Sequence, residues 1–124
     1  MDSKILSNAS DRELLEMAAK AIGYRAKFNL AGACQLWTDD LNSEYIRFWY
    51  PLTDDGDALR LAVSLNLDIL QDPVKLKSNR VEVVANEYGD EERMLWASEH
   101  RAPDPLAATR RAIVRAAAAI GAAK

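Results

Sequence analysis

Between positions 10 and 22, apolar side chains recur every three or four residues. Leu14, Leu15, Ala18, Ala21 and Ile22 fall on one side, with Arg12, Glu16 and Lys20 on the other. That interval is the helical period, so an amphipathic helix is predicted over 10–22. Ser10 and Glu13 stand at capping-box spacing, each able to satisfy a free backbone N–H of the other, and Gly23 is placed to supply a left-handed cap. The interval then shortens. The stretches 24–28, 33–37 and 45–50 are rich in aromatic and β-branched residues, and Ala31-Gly32 and 39–42 punctuate them as turns, which predicts short antiparallel strands. Residues 80–85 alternate clearly, and 93–98 follow Tyr88-Gly89-Asp90, so a second hairpin is expected. The segment 71–79 reads as a loop.

Two further helices are predicted, over 54–66 and 104–121. Pro51 ends the strand before it, because proline lacks a ladder donor and holds Tyr50 extended. Thr53 or Asp54 can then cap the first turn, where the positive end of the helix dipole favours the remaining aspartates. Asp54, Asp55 and Asp57 are also hard oxygen donors suited to a divalent cation. Their spacing does not suit one: Asp55 points away from the other two, and no distant glutamate closes a calcium loop. They are read as a helix start, with no metal. Ala58, Leu59, Leu61, Ala62, Val63 and Leu65 cover more than one stripe, so this helix is expected to be buried on more than one side.

The last helix opens on Asp104-Pro105, a capping residue followed by proline at the first helical position. Leu106, Ile113, Ala117 and Ile120 form its apolar stripe, Arg110 borders the core, and Arg111 and Arg115 face away. Ala108, Ala112 and Ala116 make a second ridge of small side chains. It suits close packing on the first helix, with self-association into a homodimer as the alternative use. The elements together predict an α+β fold of the α/β/α sandwich type, with an antiparallel sheet of about four to five short strands and three helices. Residues 1–124 are read as one domain, of which 1–8 fray.

Composition narrows the function classes. With 124 residues and 49% hydrophobic content the chain can build one core. No apolar run approaches the ~20 residues that cross a bilayer, so a soluble cytoplasmic protein without membrane contact is expected. The single cysteine, Cys34, excludes an intrachain disulfide and reads as a small buried hydrophobe. His100, the only histidine, reads as a surface loop residue. No nucleophile elbow, phosphate-cradling glycine loop or zinc-protease motif occurs, so neither catalytic residues nor a cofactor is assigned and an enzyme is disfavoured. Charge is uneven: residues 100–124 hold five bases and one acid, or +4, whereas residues 1–99 hold 11 bases and 18 acids, or −7. The plain reading is complementarity between a basic helix and an acidic body. The sharper one makes Arg101, Arg110, Arg111 and Arg115 a site for a nucleotide or nucleic acid, with tryptophans for stacking.

The segment Trp49-x-Pro-Leu-Thr-Asp-Asp-Gly-Asp-Ala-Leu-Arg-Leu-Ala-Val63, with the late segment Asp104-Pro-Leu-Ala-Ala-Thr-Arg-Arg-Ala-Ile-Val-Arg-Ala-Ala117, resembles the small phage and prophage proteins of the phage ABA-sandwich family. The resemblance covers under half of the chain. It implies an α/β/α sandwich encoded by a bacteriophage and working in the cytoplasm of an infected bacterial host, and it carries no catalytic residues.

The remaining lead is aromatic. Trp37, Tyr45, Phe48, Trp49 and Tyr50 fall within 14 residues. Adjacent strand residues point to opposite faces, so Phe48 and Tyr50 cannot share a face with Trp49. Trp37, Tyr45, Arg47 and Trp49 are the expected partner-binding set, an aromatic anchor with a charged rim. The function expected is that of a small phage accessory protein that binds and occludes a partner protein, in host takeover or defence evasion. The alternative is a binder of anionic ligands through the basic last helix.

Overall fold

The computed structural model describes residues 9–72, 78–86 and 93–124. Helix α1 spans Asp11–Ala21. Its capping box is formed as predicted: the Glu13 N–H donates to Ser10 Oγ at 3.2 Å and the Ser10 N–H to Glu13 Oε1 at 3.4 Å. Gly23, at φ +81°, turns the chain out of the helix in the left-handed region. Strands β1 (Tyr24–Phe28), β2 (Cys34–Thr38) and β3 (Tyr45–Phe48) follow as an antiparallel sheet in the order β1-β2-β3. Helix α2 spans Asp55–Ser64. Asp54 is its cap, accepting from the Asp57 N–H at 2.8 Å. Strands β4 (Asp68–Asp72), β5 (Arg80–Asn86) and β6 (Arg93–His100) make a second antiparallel sheet in that order. Helix α3, Pro105–Ala122, is capped by Asp104, which accepts from the N–H groups of Leu106 and Ala107.

The fold is therefore α+β, with three helices and six strands among the described residues. In place of one sheet of four to five strands there are two sheets of three. The additional strand is β4, which runs into the segment read as a loop. Asn66, at φ +54°, turns the chain out of α2 early enough to leave five residues for pairing with β5, and the part of the expected loop at 73–77 lies outside the described residues.

Helix α3 is the hub. It packs on α1, on α2 and on β5 and β6, while α1 packs in turn on β1. Four successive alanines, Ala116 to Ala119, are inaccessible to solvent, as are Ala112 and Val114. Four consecutive residues span a full helical turn, so the C-terminal half of α3 is enclosed all round. Ala112 and Ala116 of the predicted second ridge are buried as expected, whereas Leu106, the first member of the predicted apolar stripe, is largely exposed. The seam with α1 is close enough to exclude a methyl group: a Cβ on Gly121 would lie 1.9 Å from the Met17 carbonyl oxygen. Gly121 thus permits helix contact inside α3, which ends one residue past it at Ala122. The expectation for α2 is corrected. Its Ala58, Leu61 and Ala62 are buried, but Leu59 and Val63 are 60% and 67% exposed. Buried Val81, Val83, Ala85 and Ala97 from the second sheet join Leu14, Leu36, Trp49 and Leu61 in one core cluster.

Candidate functional site

The first sheet divides the aromatic residues between its faces, and a bulge decides how. Along β2 and β3, Gln35 pairs with Phe48 and Leu36 with Arg47, but Trp37 pairs with Tyr45, so Ile46 is an extra residue on β3. An inserted residue reverses the alternation beyond it. Tyr45 therefore joins Phe48, Trp37 and Gln35 on the outer face. On the inner face, the Trp49 N–H donates to the Cys34 carbonyl at 3.0 Å, aligning Trp49 with buried Cys34 and Leu36.

Trp49 is 1% exposed and is the largest fully buried side chain, whereas Phe48 is 47% exposed. The predicted site set is corrected accordingly. Arg47 and Trp49 do share a face, but it is the inner one. Only Trp37 and Tyr45 of that set stay on the outer face, where Phe48 and Tyr50 join them. Trp37 and Tyr45 meet edge to face at 5.8 Å between ring centroids, Tyr45 and Phe48 at 6.0 Å, and Phe48 and Tyr50 lie parallel at 6.3 Å. Lys27 of β1 closes the row, its Nζ 4.4 Å from the Trp37 ring centroid and 3.2 Å from Ser43 Oγ. The result is a strip of four linked rings with a cation at one end. Tyr45, Phe48 and Tyr50 are all exposed by more than two fifths.

The strip's other end is held from α2. Asp57 is buried, and its carboxylate accepts from the Tyr50 N–H at 2.9 Å and from Arg60 Nη1 at 3.0 Å. With Pro51 buried and the Thr53 and Asp54 N–H groups both bonded to the Tyr50 carbonyl, the backbone that carries the Tyr50 ring is fixed on both sides. The three aspartates thus have separate duties. Asp54 caps α2, Asp57 ties it to the aromatic segment, and Asp55 receives Arg110 Nη1 at 2.6 Å.

The arginines of the basic C-terminal region are engaged within the protein. Arg110 also donates to the Leu52 carbonyl, and its side chain is largely buried, as predicted. Arg111 and Arg115, expected to face away, reach carboxylates instead: Arg111 binds Asp11 at 3.1 Å, and Arg115 binds Glu99 at 2.7 Å. Arg101 donates to Gln71 Oε1. Arg111 and Arg115 meet at Glu99, whose Oε1 is 3.9 Å from Arg111 Nε, while Arg110 and Arg101 are held by separate partners. Their charges answer the acidic body, so a free anion would compete with partners already in place. His100 is exposed at the end of β6, and its Nδ1 accepts from the Ala102 N–H. Cys34 is buried, and burial pushes its thiol up to about 11, with Glu16 adding to the effect and Arg12 opposing it. Such a thiol is a packing group and a poor nucleophile at neutral pH.

Beneath the sheet lies a second surface that the sequence reading missed. A groove of about 810 Å³ runs between the inner face of the first sheet and α2, with Leu36, Ile46, Leu59 and Val63 among its walls and Arg47 and Arg60 at its edge. The signal was present in Leu59 and Val63, a four-residue repeat lying beyond the stripe needed to cover α3. It was absorbed into the expectation that α2 is buried on several sides. No family model, curated protein or solved structure matches the chain, so function has to be argued from these surfaces. No helix among the described residues is long and apolar enough to cross a membrane.

Proposed function

We propose that the protein is a small phage-encoded accessory protein that acts by binding and occluding a partner protein, and that the outer aromatic strip is its anchor. The observation that carries this reading is the exposure, in one linked row, of Tyr45 and Phe48 on edge strand β3 and of Tyr50 just beyond it. Scattered exposed apolar residues need no explanation, but a contiguous aromatic row with a charged end has the composition of a binding hot spot. The phage assignment rests on the two motifs of the resemblance, and the layered α/β/α frame and the bacterial cytoplasm go with it. In this reading no chemistry is performed. The strip docks by burying ring surface, and Asp57 and the bulge at Ile46 hold it in shape beforehand, which lowers the ordering cost of association.

The test is affinity capture from a bacterial lysate with the natural protein and with the Tyr45→Ser/Phe48→Ser double variant, whose fold is verified by circular dichroism. A protein retained by the first and lost by the second supports the reading. A protein retained equally by both overturns the assignment of the strip. Tight, salt-dependent binding of a short single-stranded oligonucleotide to the strip would instead make it a base-stacking platform.

A further inference from the structure

The groove beneath the first sheet has an uneven composition. Its walls are apolar, and three of its lining residues are cations, Arg47, Arg60 and Lys124, with no aspartate or glutamate among them. In a chain of net charge −3 this is a local reversal of sign. Arg60 is partly committed to Asp57, and Lys124 Nζ donates to the neutral Ala21 carbonyl. Arg47 has no carboxylate partner among the described residues. The floor is equally unfinished, because Leu59 and Val63, four residues apart on α2, face out beside Ile46.

We propose that this groove receives an acidic segment of the partner protein, with leucine-like side chains entering between Ile46, Leu59 and Val63 and carboxylates meeting Arg47 and Lys124. The inference rests on the reading of the protein as a partner binder and supplies the partner's chemistry. Strand β3 lies between the groove and the aromatic strip, with Ile46 and Arg47 lining the former and Tyr45 and Phe48 the latter. A partner that wraps β3 therefore reaches both. Recognition is by side chains and not by an added strand: the bulge at Ile46 disrupts the regular spacing of this edge, and Asp57 already takes the Tyr50 N–H. The same features disfavour pairing with a second copy through β3, which would also bring another Arg47 toward a groove that already holds three cations.

The probe is an end-blocked twelve-residue peptide alternating leucine and glutamate, compared with its leucine–lysine counterpart by calorimetry and by amide chemical shifts. The expected result is binding of the acidic peptide about tenfold or more tighter than the basic one, weakening several-fold as sodium chloride rises from about 50 to about 500 mM. Shifts should centre on Ile46, Arg47, Leu59 and Val63. Arg47→Glu and Val63→Asp alter exposed side chains, so the fold should survive, and each should weaken the acidic peptide about tenfold. Equal affinity for both peptides, no change with Arg47→Glu, or binding of dodecanoate where neither peptide binds would overturn the proposal. So would sedimentation showing that a dimer of this chain covers the groove. None of these outcomes touches the strip, whose own test is the capture experiment with the double variant, so the two readings fail separately.

Discussion

The C-terminal half of α3 and strand β3 sort their side chains in opposite ways. In α3 the fully enclosed residues are mostly alanine, with Gly121 at the tightest approach. In β3 every residue is exposed, and Tyr45, Ile46 and Phe48 are large and apolar. Burial in the helix seam is set by how close two backbones can come, for which a small side chain is the requirement. The strand has no such neighbour on its outer face, so large rings can stay there without serving the core. The contrast separates what holds the fold from what is left over for binding.

Trp49 is where that separation can be broken most severely, because it follows β3 directly and yet belongs to the interior. Trp49→Ala should cost ~3–5 kcal/mol, the range for a large aromatic lost from a packed core. Urea titration measures it. A loss below about 1 kcal/mol would put Trp49 on the binding side of the comparison.

The next largest effect belongs to the seam. Gly121→Ala places a methyl group against the Met17 carbonyl, and backbone cannot yield as a flexible side chain can. The expected cost is about 1–3 kcal/mol, although alanine is the better helix former. A stabilised variant would show that the two helices can separate freely. Cys34 probes the same interior by pH. Its folded-state value of about 11 lies above the ordinary 9.0. The unfolded chain therefore loses this proton first, and the contribution to stability is complete below about pH 9 and lost as pH rises toward 11. Cys34→Ala should flatten the alkaline limb of the stability profile.

Much of this plan was legible in the chain. Local signals were read correctly wherever the chemistry is local: the capping box at Ser10 and Glu13, the Asp104 cap, the α2 cap narrowed to Thr53 or Asp54, and the positive φ at Gly23 all depend on neighbours within a few residues. The antiparallel pairing of 80–85 with 93–98 was legible too, while the turn expected at 88–90 and the fraying expected over 1–8 lie outside the described residues. The division into two sheets was not legible, since strand partners are chosen by tertiary contact. A close seam between the alanine ridge of α3 and α1 was legible, but the all-round enclosure of α3 and the exposure of Leu59 and Val63 on α2 were not, because both depend on which neighbours the tertiary fold supplies. The aromatic site was half legible. The cluster was recognised, and alternation correctly placed Arg47 with Trp49, but nothing in a single strand says which face meets the core, and the bulge that moves Tyr45 is created by pairing with β2.

Between fold and site stands Asp57, the one buried charged residue among those described. As one of the acids of a helix start it would contribute about a few tenths of a kcal/mol. Its bonds to the Tyr50 N–H and Arg60 raise the expectation for Asp57→Ala to about 1.5–3 kcal/mol, the range for hydrogen bonds to a charged group. Asp54→Ala, a cap alone, should cost ~1 kcal/mol. Thermal melts of the two variants side by side check the order. If Asp54 proves the more costly, the tie between α2 and the strip is weaker than its geometry.

The smallest effect on stability is expected where the largest effect on binding is claimed. Phe48 touches Tyr45 and Tyr50 but is nearly half exposed and lies outside the core cluster. Its removal forfeits one edge-to-face contact and one parallel contact, each on a wet surface where water replaces part of what is lost. Phe48→Ala should therefore change stability by about 0.5 kcal/mol or less, the usual bound for surface positions. The ring nevertheless bridges Tyr45 and Tyr50, so losing it divides the strip into two separate pieces. A partner that buries the strip should then bind about tenfold or more weakly, as at an interface hot spot. Measured together, an unchanged melting temperature and a weakened complex would set β3 apart from the helix seam. A marked loss of stability with Phe48→Ala would instead make the strip part of the fold and dissolve the contrast.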